Sequence, residues 1–280
     1  MSGPVRGRRR RLVMGLRTLL GGKAQGFFIP YRYAAAVRPF AYPALEPRFA
    51  AAEPAFLELL AAIEALGPEL RRMAGPPPQP RFDQGWFPRL DAAAAYALVR
   101  DLRPARILEV GSGHSTRFLA RALADGGLAG TLTCIDPAPR ATLDGLPVRR
   151  LERLLEEVPE AEFEALAAGD VLFVDSSHVL MPGSDVDRLL NRILPALAPG
   201  VVVHVHDIFL PDPYPAAWAW RGYNEQPAVA ALLQGGAYEI RFASHYVATR
   251  LAGRVAAGVL AELPLAADAP ESSLWLRKRG

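Results

Sequence analysis

The sequence predicts an α/β protein, a Rossmann-like doubly wound sheet with an N-terminal helical extension. Three observations carry that expectation. Arg106-Ile-Leu-Glu-Val110 reads as a short buried strand that breaks at Gly111-Ser-Gly113 and yields to an apolar helical pattern at Phe118, Leu119, Ala122 and Leu123. Strand-like and helix-like runs then alternate to the C-terminus, the pattern of a parallel sheet covered on both faces. Acids and histidines stand where these strands end, and in such a sheet the carboxyl ends line the ligand crevice.

The elements follow in order. Met1 to Gly22 has a basic head and then Leu12, Val13, Leu16, Leu19 and Leu20 on one helical face, a basic amphipathic arm of about 25 residues that suits an anionic membrane surface. Residues 26–89 form a helical and aromatic extension. It opens on the cluster Gly26-Phe-Phe-Ile-Pro-Tyr-Arg-Tyr33, continues as an amphipathic helix over Glu53–Met73, and stiffens at Gly75-Pro-Pro-Pro-Gln-Pro80. A helix over Leu90–Leu102 then delivers the chain to the first strand of a domain spanning residues 90–280. Further strands are expected at Thr131–Asp136, Val148–Leu151, Asp170–Asp175, Gly200–His206, Tyr238–Ala243 and Ser273–Arg277. Helices are expected up to Leu166 and over Asp187–Leu197, Glu225–Leu233 and Tyr246–Leu260.

Composition bounds the function. Of 280 residues, 51% are hydrophobic, enough for a sizeable core, yet no run nears the roughly 18 apolar residues of a membrane span. The single cysteine, Cys134, lies in a strand, which excludes a disulfide framework and fits a reducing, cytoplasmic setting. The net charge of +3 hides an asymmetry: nine bases and no acid precede Glu46, so the remainder carries −6. An acidic body argues against a nucleic-acid-binding face on the domain. A small-molecule partner is expected, with peripheral membrane contact through the arm and a homo-oligomer both open.

The glycine turn identifies the ligand class. Thr116 takes the place where a dinucleotide fingerprint has its third glycine. Glu109, just before the turn, repels a diphosphate and suits a cationic group. Asp136 ends the next strand about twenty residues on, the spacing of a carboxylate that grips ribose hydroxyls. Ribose at Asp136, a positive group near Glu109 and no phosphate together describe S-adenosylmethionine. Gly111, Ser112, Gly113, Ser115 and Asp175 complete the expected cofactor set.

Glu109-Val-Gly-Ser-Gly113 followed by Asp136, Val174-Asp175 and Val205-His-Asp207 resembles class I S-adenosylmethionine-dependent methyltransferases. Within them it is similar to the bacterial branch of macrocin-type O-methyltransferases and cephalosporin-hydroxylase-like proteins, over roughly residues 90–224. The resemblance implies the strand order 3-2-1-4-5-7-6 with the last strand antiparallel, and methyl transfer to a small hydroxylated metabolite. His178 is the expected proton acceptor, with His206 and Asp207 as further proton handlers. His206-Asp207 stands where metal-dependent relatives carry an acidic pair, so Asp175, His206 and Asp207 are also a candidate site for a divalent cation. A hydroxylase using metal and oxygen there, and a non-catalytic cofactor-binding or membrane-associated protein, are the alternatives. Trp86, Tyr223 and Asn224 are expected to contact the acceptor, with Glu225 and Gln226 offering further hydrogen bonds, although Asn224 also suits the cap of the next helix.

Overall fold

The computed structural model describes residues 4–21 and 24–280, and side chains from Arg9 onward. Of the basic arm, Met1–Gly3, Gly22, Lys23 and the side chains of Arg6 and Arg8 lie outside the described residues. Seven strands form one sheet: β1 (Arg106–Val110), β2 (Thr131–Ile135), β3 (Val148–Leu151), β4 (Val171–Val174), β5 (Val202–Val205), β6 (Tyr238–Ala243) and β7 (Leu274–Lys278). Their order is β3-β2-β1-β4-β5-β7-β6. The first five run parallel, and β7 pairs antiparallel with both β5 and β6. This is a Rossmann-like doubly wound sheet in the strand order that the resemblance implies.

The strand sequences explain their places. Val171–Val174 and Val202–Val205 are buried throughout, as strands covered on both faces must be. The edge strand β3 carries Arg149 and Arg150, which pair with Glu162 and Asp144 and leave the edge charged and solvated.

Helix α1 spans Pro4–Leu19. The expected Glu53–Met73 helix is instead α2 (Glu46–Ala65) followed by the single turn α3 (Gly67–Leu70). It begins earlier because Pro47 fits a first turn, where no N–H partner is needed, and it stops where Gly67-Pro68 cannot continue it. Phe56 and Ile63 of α2 are buried, and Phe56 packs edge-on against Phe242 of β6. Helix α4 (Arg89–Leu102) follows, its first turn tied by Arg89 and the Leu90 N–H to the buried Glu271 carboxylate. Helix α5 (His114–Asp125) buries Phe118, Leu119, Ala122 and Leu123, the pattern read from sequence.

Three later helices are more broken than their periodicity suggests. The stretch to Leu166 is a 3-10 turn, Leu155–Glu157, and α6 (Ala161–Glu164), interrupted at Pro159. The next starts early as α7 (Asp185–Arg188), because Ser184 accepts a bond from the Asp187 N–H, then passes through a π-helical turn, Leu189–Ile193, into α8 (Leu194–Ala196). Helix α9 is Gln226–Gln234, and the last is split into α10 (Ser244–Arg250), α11 (Ala252–Val255) and α12 (Gly258–Glu262). Gly258 breaks it at φ +60°, where the Glu64 carboxylate accepts the Val259 N–H at 2.8 Å. Among the described residues no helix is long and apolar enough to cross a membrane.

Gly111 sets the join between β1 and β4. Its φ is +80°, and a Cβ there would lie 2.1 Å from the Asp175 carbonyl oxygen. Gly169 has a similar φ, +87°, but open space around it. Gly111→Ala should therefore destabilise by about 3 kcal/mol or more, from clash plus strain, and Gly169→Ala by about 1–2 kcal/mol from strain alone. Urea denaturation of the two variants measures this, and equal losses would disprove the close approach.

Candidate active site

The carboxyl ends of β1, β2, β4 and β5 converge, and two layers of polar side chains meet there. The first surrounds the glycine turn. Glu109 is fully buried beneath it, and its oxygens accept bonds from Ser115 Oγ at 2.6 Å, Thr116 Oγ1 at 2.7 Å and Cys134 Sγ at 3.3 Å. Thr116 Oγ1 in turn accepts the Gly113 N–H at 2.9 Å. Burial pushes the Glu109 carboxyl up to about 7 despite these three donors. Glu109 and Ser115, expected at the cofactor's surface, thus face each other below the turn and fix its shape. The threonine in place of a third glycine is the bridge between acid and turn.

Asp136, by contrast, faces the crevice. Its Oδ2 accepts from the Ser112 N–H at 2.8 Å and Ser112 Oγ at 3.0 Å, and its Oδ1 accepts the Ala138 N–H at 2.8 Å. The β2 tip and the glycine turn are thereby locked together. Oδ1 keeps a second lone pair for a ligand hydroxyl, whereas both acceptor positions of Oδ2 are already used.

The second layer is built on His178. Its Nδ1 lies 2.9 Å from Glu225 Oε2, and its Nε2 lies 3.2 Å from Asp175 Oδ1 and 3.6 Å from Asp207 Oδ2. Burial opposes a charged ring, but the bonds to Asp175 and Glu225 and the charges of Asp207 and Glu225 outweigh it and raise the imidazole well above its usual 6.5. Burial likewise works against the Asp175 carboxylate, yet the His178 bond and the charges of His206, His178 and Arg140 hold it well below the carboxylate range. His178 and Asp207 both sit in the left-handed region, at φ +60° and +57°. For non-glycine residues this costs on the order of 1–3 kcal/mol each and is typical of side chains aimed by a site.

These contacts change the expected role of His178. A ring that donates from both nitrogens has no lone pair with which to take a proton from an acceptor. His178 lies within reach of three carboxylates, Asp175, Asp207 and Glu225, and bridges them. It also alters the candidate metal site. The imidazole lies between Asp175 and Asp207, while His206 turns its Nε2 towards the Trp86 carbonyl at 3.3 Å and its Nδ1 towards Ser273 Oγ at 3.5 Å. Among the described residues no group of three His, Cys, Asp or Glu side chains is arranged to hold a metal ion. The His178 ring thus stands between Asp175 and Asp207, and His206 Nε2 lies 3.6 Å from Asp207 Oδ1.

The remaining expected residues are distributed around this core. Tyr223 covers the His178 ring, with centroids 4.5 Å apart, and its hydroxyl accepts a bond from Arg221 at 2.9 Å. Asn224 is used internally. Its side chain pairs with the Leu180 backbone through an accepted bond of 2.6 Å and a donated one of 3.2 Å, and it does not cap α9. Trp86 stands on the rim, 53% exposed, with the Arg140 guanidinium 5.2 Å from its ring centroid. His204 is a packing residue, stacked on Phe173 at 3.7 Å and bonded to Ser273 Oγ at 2.8 Å.

Sequence reading missed Asp91, Ser272, Ser273 and Arg140. Asp91 is fully buried and accepts the N–H groups of Ser272 and Ser273 at 3.0–3.1 Å. Ser272 Oγ then donates to Asp207 Oδ1 at 3.1 Å. Burial pushes the Asp91 carboxyl up to about 6, against the opposing charge of His206. An acid in the first turn of a helix reads as a favourable dipole partner, so the sequence held no signal for this tether.

Residues 108–208 match the model of a family described as a methyltransferase domain. No curated protein is significantly similar to the chain. Among solved structures, the methyltransferase PaMTH1 of Podospora anserina, with SAH bound, is 16% identical over 91% of this chain and 100% of its own, with a TM-score of 0.42. The O-methyltransferase TomG of Streptomyces achromogenes, in complex with SAM, is 20% identical over 80% and 90%, TM-score 0.43. The branched-chain polyamine synthase of Thermus thermophilus is 18% identical over 78% and 63%, TM-score 0.42. Likenesses at this level do not bear on activity.

The raised imidazole has a checkable sign. A histidine whose folded pKa exceeds its unfolded 6.5 lends stability that is fully present below about pH 6.5 and is lost as pH rises through the folded value. Nitrogen NMR should show the His178 ring still doubly protonated at about pH 7.5, and Glu225→Gln should lower its titration point. A ring already neutral at that pH would contradict the arrangement. Over residues 108–208, where the β1, β2, β4 and β5 tips of this site lie, the chain is similar to methyltransferase domains.

Proposed function

We propose that the chain is an S-adenosylmethionine-dependent methyltransferase that methylates oxygen on a small hydroxylated metabolite. The observation that carries this reading is the carboxylate pair at the strand tips. Asp136 and Asp175 flank the glycine turn, where negative charge disfavours a pyrophosphate and suits ribose hydroxyls and a sulfonium. The match of residues 108–208 to methyltransferase domains agrees with it. In this reading residues 90–280 are the cofactor-binding domain, and the one buried cysteine fits a cytoplasmic setting.

The bound cofactor would supply an electrophilic methyl group. What the chain itself must do is align an acceptor hydroxyl in line with it and remove a proton. Asp136 would hold the ribose, and Ser112, Gly111 and Gly113 would present backbone against the nucleoside. Glu109 acts from below, through Ser115 and Thr116, by keeping the turn in shape. Asp175 would face the positive end of the cofactor. Asp207 receives the acceptor's proton, with Asp175 and His178 engaged with each other at 3.2 Å. His178 positions both carboxylates, and Tyr223 and Trp86 wall the acceptor space.

Calorimetry with S-adenosylmethionine tests the assignment. Asp136→Ala should abolish binding, whereas Asp207→Asn should retain it. In an assay of S-adenosylhomocysteine release over a panel of small alcohols and phenols, Asp207→Asn should lower turnover by about a hundredfold or more. Undiminished affinity in Asp136→Ala would remove the ribose contact, and wild-type turnover in Asp207→Asn would remove the base.

A further inference from the structure

We infer that the N-terminal arm and the aromatic segment after it form a docking surface for an anionic lipid bilayer. Of the sixteen large hydrophobic side chains exposed among the described residues, twelve lie between Leu12 and Phe40. Apolar surface is thus gathered on one segment instead of being scattered as on an ordinary protein surface. The same segment is entirely basic: no acid precedes Glu46.

The structure shows how the two properties combine. In α1, Leu12, Leu16 and Leu19 recur at helical spacing, and the 3-10 turn Ala216–Arg221 covers them only in part, leaving Leu12 63% exposed and Leu19 59% exposed. On the neighbouring face Val13 and Met14 lie with Arg9, Arg10, Arg17 and Gln25 along an open groove of about 630 Å³. Gln25 folds back on α1, its N–H bonded to Thr18 Oγ1 at 2.9 Å, so the exposed Phe27, Phe28 and Ile29 start at the end of the helix. An apolar stripe flanked by guanidiniums and followed by aromatic side chains matches the headgroup boundary of a bilayer, where apolar groups enter and cations meet lipid phosphates.

The occupant follows from charge. A second copy would bring the same arginines face to face with these, and like charges at close range repel. An anionic bilayer offers the opposite charge together with an apolar interior. The surface also adjoins the site already described: the turn beneath α1 ends at Arg221, which bonds Tyr223 over the His178 ring. Bilayer docking would thus set the acceptor wall near the lipid surface. The inference does not depend on the methyl-transfer reading.

Sedimentation of the full chain with phosphatidylcholine vesicles, with and without phosphatidylglycerol, tests it. The chain should pellet with the anionic vesicles, and Arg9→Glu/Arg10→Glu/Arg11→Glu should weaken that binding by about a hundredfold or more, at roughly tenfold or less per charge changed. Leu16→Asp should weaken it as well, with circular dichroism and the thermal unfolding midpoint unchanged in both variants. Failure to pellet with anionic vesicles would overturn the proposal, as would equal pelleting of the triple variant. So would a dimer seen by light scattering that Leu16→Asp disperses while vesicle binding persists, because the apolar face would then belong to a second copy.

Discussion

The site depends on how closely the ends of β1 and β4 pass. The Asp175 N–H bonds the Val110 carbonyl at 2.8 Å, and the Asp175 carbonyl then fills the space where any side chain at position 111 would begin. Only a glycine, free to adopt φ +80°, lets the chain turn there. That one approach brings Ser112 to the Asp136 carboxylate on one side and puts Asp175 beside His178 on the other. The buried Glu109 below and the two locked strand tips above hold the turn from both directions.

The second constraint is electrostatic. Asp175, Asp207 and Glu225 converge on one buried ring, and three uncompensated carboxylates there would be disfavoured. The His178 ring, whose pKa these acids raise, bridges all three at the cost of two left-handed residues. A divalent cation solves the same problem in other proteins that gather acids at strand ends. Here the compensating charge is part of the chain. A protonated ring between Asp175 and Asp207 leaves Asp207 aimed by Ser272 and, through it, by the start of β7.

Much of the fold could be read from the sequence. Each of the seven strands overlaps its expected span, most plainly β4 and β5, since a parallel strand buried on both faces has little choice of residue. Their order came from the resemblance, since the run of strands alone does not say which are neighbours. Helices were less legible where a glycine or proline interrupts a continuing apolar period, as at Gly67-Pro68 and Gly258. Within the site, strand-end positions were legible and side-chain directions were not. Glu109 and Asp136 look alike as acids ending strands, yet one faces down into the core and the other into the crevice. Glu225, read as an acceptor contact, is spent on His178 from a position 47 residues away in sequence, and Asp91 meets Ser272 across 181. Such pairings depend on how the chain returns through space, which no local pattern records.

The central claim is that these strand tips hold a nucleoside bearing a positive sulfur. Equilibrium titration of the intact chain with S-adenosylmethionine, its demethylated product and a nicotinamide dinucleotide tests it most directly. Saturable one-to-one binding of the first two, with none of the dinucleotide, is the predicted result. Binding of the dinucleotide in their stead would contradict the account.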